Sequence, residues 1–283
     1  MHIYWITALA LAVFLQGHNA SAQNSAPAET PIPADDRLNA VVWTMTSAEY
    51  EGTVRMGYAV ARVQLDTALA DKSRTAVVDQ VGDFSKLPPA IIMDIDETVL
   101  ATGPYQVRLM DDTVTRPADL MARWVEDASA KALPGVLEFI AYAESKGVTV
   151  FFVTNRNSEK EAATRRNLEA VGIKLPAGRD TVLLEREQTE WTNDKTTRRA
   201  FIAATHRVLM LLGDDLNDFI SVARLTSAER RTVVARESAR WGRDWIIFPN
   251  PMYGSWESAA INFQFRASPE DRRRIKNESI RAE

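Results

Sequence analysis

Apolar and polar positions along this chain follow two rhythms. From residue 38 to 69 the apolar residues recur at helical spacing: Leu38, Val41, Val42 and Met45, then Val54, Tyr58, Ala61 and Leu65. Ser47 stands where the second of these helices would be capped. Further along, short and almost wholly apolar runs alternate with amphipathic stretches. The runs fall at 91–93, 148–153, 181–184, 207–212 and 245–248. Helices are predicted over 136–145, closed by Gly147, over 158–170, closed by Gly172, over 191–204, and from the 213–218 stretch to about residue 225. Short buried strands separated by helices predict an α/β fold, a doubly wound parallel sheet. The segments before residue 86 and after residue 265 stand outside that alternation. They are expected to form a small helical lobe.

The two ends of the chain read differently. Residues 3–15 are nearly all apolar, no Lys, Arg, Asp or Glu precedes Glu29, and Ala20-Ser21-Ala22 has the small-x-small form of a cleavage site. We expect a signal peptide over 1–22, cut after Ala22, then a flexible Pro-rich linker over 23–37. The remaining 38–283 would be one domain: a helical lobe at 38–85, a core at 86–265 and a C-terminal helix at 266–283. Ser268 and Pro269 suit the start of that last helix, and Arg272, Arg273 and Arg274 its solvated face.

Composition narrows the chemistry. A net charge of -4 argues against a nucleic-acid polymer as partner. With no cysteine and three histidines, neither a thiolate site nor a histidine-rich metal site is expected. The carboxylates are better candidates. The first apolar run ends in Asp94-Ile95-Asp96-Glu97-Thr98, and residues two apart in an extended chain share a face. Close carboxylates require a cation, a shared proton or donated hydrogen bonds.

A parallel sheet gathers its strand ends along one edge, where such folds bind ligands. Thr154 follows the second run, Asp214 and Asp218 follow the fourth, and Lys195 opens a helix. Several carboxylates suit a hard cation such as Mg²⁺. Thr154 and Lys195 supply the donors and charge that phosphoryl oxygens need. One carboxylate can attack phosphorus while a second protonates the leaving group and later activates water. Arg156, beside Thr154, has two partners open to it, a substrate or an acid. Tyr105, Trp124 and Tyr253 are the aromatics considered for stacking a nucleobase.

The first motif, with Thr154, Lys195 and the 213–218 stretch in that order, resembles the four motifs of the haloacid dehalogenase (HAD) superfamily of phosphatases. Narrower stretches at 47–50, 153–156, 213–219 and 250–257 resemble the class C acid phosphatases, the bacterial lipoprotein e-type 5'-nucleotidases and their relatives. The resemblance implies a HAD-like core and an exported, Mg²⁺-dependent acid phosphatase. It would act on small phosphomonoesters, nucleoside 5'-monophosphates among them, through an aspartyl phosphate. Asp94 would be the nucleophile and a metal ligand. Asp96 would be the acid/base and a ligand through its backbone carbonyl, and Asp214 the third ligand. Thr154, Asn155, Arg156, Lys195 and Tyr253 fall to the substrate and phosphate group, with Asp215 and Asp218 in support.

The chain departs from the family in lacking the lipid-anchoring cysteine of many members, so a soluble periplasmic or secreted form without stable membrane insertion is expected. It also carries Ala101-Thr102-Gly103 where many members have Asp-Asn-Ser, which bears on substrate preference. A homodimer is a further implication of the resemblance. The alternatives are a phosphotransferase on the same scaffold and a non-catalytic binding or storage protein.

Overall fold

The computed structural model describes residues 36–110 and 117–281. The expected signal peptide, and the expected linker up to residue 35, lie outside the described residues. Among the described residues no helix is long and apolar enough to cross a membrane.

The first elements among the described residues are α1 (Leu38–Thr46) and α2 (Ala48–Ala70). Ser47 caps α2, its hydroxyl accepting from the Tyr50 N–H at 3.1 Å. Among the described residues five strands follow: β1 (Pro89–Met93), β2 (Thr149–Asn157), β3 (Val182–Glu185), β4 (Arg207–Gly213) and β5 (Trp245–Ile247). They form one sheet in the order β3-β2-β1-β4-β5, and every pairing is parallel. Each connection runs back across the sheet and carries at least one helix or helical turn. These include α3 (Gly103–Leu109), α4 (Pro117–Asp127) and α5 (Val136–Ser145) after β1. Later come α6 (Glu161–Ala170), α7 (Thr196–Ala203) and α8 (Ser227–Arg236), and after β5, α9 (Ser255–Ala260) and α10 (Pro269–Arg281).

Both faces of the sheet are covered, which is why the strands read as continuous apolar runs rather than alternating ones. Ile91 and Met93 of β1 enter one core with Val54, Ala61 and Leu65 of α2 and Phe139 and Ile140 of α5. Ala90 and Ile92 enter the other, with Ile202 of α7, Trp191 and Phe219. Along most of its length α2 therefore lies on the sheet. Its N-terminal half, together with α1, also reaches the carboxyl edge, where Met45 packs beside Gly103, Tyr50 reaches Glu97 and the Tyr58 hydroxyl donates to the Thr98 carbonyl at 2.5 Å. Where a helical lobe is expected over 38–85, α2 packs on the sheet as part of its core.

The register decides what meets at that edge. Met93 pairs with Phe152 of β2 and with Leu212 of β4, and the Asp94 N–H extends the ladder to the Leu212 carbonyl at 2.9 Å. Asp94, Thr154 and Asp214 therefore lie within two residues of one level.

One expected element is corrected. The helix placed from 213–218 to about 225 is a single 3₁₀ turn, Leu216–Asp218, and the helix proper is α8. Asp215 and Asp218 close the short turn as a capping box, and Arg224 takes a left-handed conformation with φ 58°. Thr226 and Glu229 then form a capping box that starts α8. The Thr-x-x-Glu spacing was the signal for that start.

Candidate active site

The center of the carboxyl edge is a buried knot of charges. Asp94 follows β1 directly, and Lys195 occupies the N-cap position of α7. The Lys195 Nζ donates to Asp94 Oδ1, and to Asp218 Oδ1 at 2.5 Å. All three side chains are at most 8% exposed, so the pairings form away from bulk water. Burial pushes the Asp94 carboxyl up to about 7; Lys195 pulls it down, and Asp218 and Asp96 push it up again. Burial also opposes the charge of Lys195, but Asp218 and Asp94 outweigh it and hold the ammonium above its ordinary range.

Asp218 is fixed from two sides, by Lys195 and by the Asp215 N–H at 2.9 Å. Gly213 makes this possible, because a side chain there would overlap the Asp218 carboxylate. Asp214 is carried well above the usual carboxylate range by burial and by Asp94 and Asp218. The Asn250 amide donates to its Oδ2 at 2.8 Å. Carboxylate oxygens of Asp94, Asp214 and Asp218 lie within 4.8 Å of one another.

The Asp96 carboxylate is turned away from that group. Arg156 grips it with two bonds, Nε to Oδ2 at 3.0 Å and Nη2 to Oδ1 at 2.8 Å. Of the two partners open to Arg156, the structure pairs it with the acid.

Asp94, Asp96, Asp214 and Asp218, set against Lys195 and Arg156, leave negative charge in excess when all are ionised. An all-oxygen donor set with unbalanced negative charge fits a hard divalent cation. Asp94 and Asp214, with the Asp96 carbonyl, are the groups that would hold it.

A cleft of about 380 Å³ opens above these residues. Thr154, Asn155, Arg156, Lys195, Asp215, Asp218 and Tyr253 all line it, beside Asp94, Asp96 and Asp214, so the ten expected site residues do converge. Their contacts sort them further. The Thr154 hydroxyl accepts from the Arg156 N–H at 3.1 Å and is otherwise free to donate. The Asn155 amide bridges Arg198 Nη2 at 2.8 Å and the Asn193 carbonyl at 3.0 Å, which makes it part of the frame. Asp215 accepts from the Ser255 N–H at 2.6 Å and from its hydroxyl, tying α9 to the β4 loop. The Tyr253 hydroxyl lies 3.2 Å from Thr102 Oγ1. Of the three aromatics considered for stacking, only Tyr253 lines the cleft; Tyr105 and Trp124 pack on each other with ring centroids 5.8 Å apart.

Sequence reasoning missed three groups that hold the site together. Arg198 donates to the Thr154 carbonyl at 2.5 Å, and Arg199 to the Asn217 and Asp218 carbonyls at 2.7 and 3.1 Å. These two buried guanidiniums brace α7 against β2 on one side and the β4 loop on the other. Their signal was the arginine pair three and four residues beyond Lys195, one helical turn along. The third is Glu97. Fully buried and left-handed at φ 57°, it accepts from the Thr102 N–H and hydroxyl and from the Tyr50 hydroxyl at 2.8 Å. It staples the loop after β1 to α2.

With this geometry in hand, comparison with known proteins is direct. The family model for the HAD superfamily, subfamily IIIB (Acid phosphatase), matches residues 8–256. Two solved structures of the class C acid phosphatase from Bacillus anthracis, one with tungstate bound, superpose with a TM-score of 0.75 at 33% identity. They cover 86% of this chain and 95% of theirs. The stem 28 kDa glycoprotein of Glycine max is 25% identical over 167 residues, 57% of this chain and 58% of that protein. The chain thus spans little more than half the length of that relative. The fold and site define a HAD-type phosphatase, and the chain belongs to subfamily IIIB of that superfamily, the acid phosphatases.

Proposed function

We propose that this protein is an exported, Mg²⁺-dependent acid phosphatase that hydrolyses phosphomonoesters, nucleoside 5'-monophosphates among them, through an aspartyl phosphate on Asp94. The observation that carries the reading is the position of Asp94. It is pinned by Lys195 at the floor of a cleft that also receives Thr154, Asp96 and Asp214.

The Thr154 hydroxyl and the Lys195 ammonium bind phosphoryl oxygens and orient the ester for in-line attack. An Asp94 carboxylate oxygen attacks phosphorus. The ester P–O bond breaks, its electron pair goes to the leaving oxygen, and Asp96 supplies the proton. In the second half, water attacks the phosphoryl group of Asp94 and gives its proton to Asp96. The Asp94 carboxylate is released with its original electron pair. Mg²⁺, when bound by Asp94, Asp214 and the Asp96 carbonyl, supplies the charge that lets an anionic nucleophile meet an anionic ester.

Support for the substrate class comes from the cleft lining. Met121 and Tyr253 offer apolar surface, and Asn193 and Asn217 offer amides, which together suit a nucleoside. The tungstate in the Bacillus anthracis enzyme is an oxyanion and supports phosphoryl recognition. The apolar run at 3–15 with its Ala-Ser-Ala site supports export.

The test is phosphate release from nucleoside monophosphates and p-nitrophenyl phosphate, with Mg²⁺ and with chelator. Release that requires metal and is lost in Asp94→Asn is the expected result. Release that survives Asp94→Asn removes Asp94 from the mechanism.

A further inference from the structure

Arg156 stands two residues beyond Thr154 on β2 and is aimed chiefly at Asp96. Its side chain is 1% exposed. Nε and Nη2 hold the two oxygens of Asp96, Nη1 reaches Thr164 Oγ1 at 3.4 Å, and the guanidinium lies 5.4 Å from the centroid of the Trp124 ring. The planar edge that would take an oxyanion at two points is the one that Asp96 occupies. Asp96 differs: its side chain is 16% exposed and lines the cleft with Asp94 and Thr154. Each carboxylate oxygen has two acceptor directions, and the fork takes one on each.

We propose that Arg156 is a positioning residue for Asp96. The fork, backed by Trp124 and Thr164, fixes the plane of the carboxyl group so that an acceptor direction not taken by Arg156 faces the leaving oxygen. The inference rests on the phosphatase reading above. When the ester P–O bond breaks, the leaving oxygen takes the electron pair of that bond and the proton of Asp96. The carboxylate left behind is balanced by the guanidinium already on it. In the second half the attacking water returns a proton to the same carboxylate. A lysine at 156 would keep the charge but not the two-point fork.

The experiment compares parent and Arg156→Lys on phenyl, 4-nitrophenyl and 2,4-dinitrophenyl phosphate, with Mg²⁺ present. A good leaving group departs without a proton; phenol does not. The loss of kcat/KM, which reports the step that expels the leaving group, should be greater for phenyl phosphate than for the dinitrophenyl ester by about tenfold or more, out of the ~10²–10⁴-fold that a positioned acid supplies. Inhibition by inorganic phosphate should not weaken in step. In an Asp96→Asn background, Arg156→Lys should cost nothing further on phenyl phosphate. Trp124→Phe, which weakens the backing and leaves the fork in place, should shift the series in the same direction by less. It carries the test if Arg156→Lys does not fold.

Equal losses across the three esters overturn the proposal and make Arg156 part of the general scaffold. A rise in the inhibition constant for phosphate with a flat leaving-group series overturns it in favour of a phosphate contact. If the parent releases no phosphate, or its release survives Asp94→Asn, the phosphatase reading fails and this role fails with it. An active, Asp94-dependent parent confines any failure to Arg156.

Discussion

Two groups of three carboxylates among the described residues bring their oxygens within 4.8 Å, and one of them has the makings of an active site. Asp94, Asp214 and Asp218 come from the ends of two central strands and face a cleft. Glu161, Asp180 and Glu187 come from the start of α6 and the two flanks of β3, at the edge of the sheet. Each group contains one acid whose pKa is pushed up to about 7 with burial as the leading cause, Asp94 in the first and Glu187 in the second. A raised pKa therefore does not separate them.

What separates them is burial and what each group faces. Arg165 binds Glu161 at 2.8 Å and Asp180 at 2.5 Å, and Glu187 shares a hydrogen bond with Asp180. That group sets three acids on one guanidinium and is partly open to water. The Asp94 group sets three acids on one ammonium, with Asp94 and Asp218 nearly closed from water, at a place where Thr154 and Asp96 look into the same space. Acid clustering shows only that charge has been brought together. Its burial, and what faces it, points to function.

The comparison is broken most sharply by removing one acid from each group. Asp94→Asn should lower kcat/KM for p-nitrophenyl phosphate on the order of 10⁴-fold, the scale seen when a nucleophile is lost. Glu187→Gln should leave it within about twofold, as for a change away from the reacting atoms. Comparable losses in the two variants would erase the distinction drawn here.

Metal binding gives the next largest effect. Mg²⁺ at about one hundred times its Kd should stabilise the parent by ~2.7 kcal/mol, read as a rise in the denaturation midpoint. The rise should vanish in Asp214→Asn and persist in Asp180→Asn. The opposite pattern would move the cation to the surface group.

A smaller effect tests the support around the first group. Asp215→Ala removes the acceptor for the Ser255 N–H and hydroxyl and for the Asn217 N–H. It should cost ~1 kcal/mol in urea unfolding, because partly buried donors lose their partner. A variant with parental stability would show that the tie between α9 and the β4 loop is idle.

The smallest effect is a pH dependence. Glu187 has a folded pKa raised above its unfolded value, so its contribution is fully present below about pH 4.5 and is lost as pH rises through about 7. The parent should therefore lose stability across that window relative to Glu187→Gln. Solvent screening at this partly exposed site keeps the difference small. Parallel Tm-versus-pH curves for the two proteins would show that Glu187 is ordinary in the fold.

Much of this was legible in the chain. All five strands lie within a few residues of the apolar runs, because a strand buried on both faces needs nearly every side chain to be apolar. The ten site residues converge because strand ends of a parallel sheet share an edge, a consequence of topology that short motifs can report. The helix over 136–145 was read to the residue, since its apolar period and the following glycine are both local.

Pairing was not legible. Asp94 and Asp96 are two residues apart, yet one meets Lys195 and the other Arg156. Each partner lies at least sixty residues away along the chain. Local sequence offered Arg156 a substrate or an acid with equal merit; the register of β2 on β1 and the ring of Trp124 chose the acid. In the same way the 213–225 stretch had helical content, but the bonds of Asp215 to Ser255 and of Asp218 to Lys195 hold its start in a single tight turn. The sequence by itself determined the elements, their order and the edge where the acids gather, because burial and strand direction act through periodicity. Only the tertiary structure decided which charge each acid meets, because ion pairs and hydrogen bonds form between groups that the fold, and not the chain, makes neighbours.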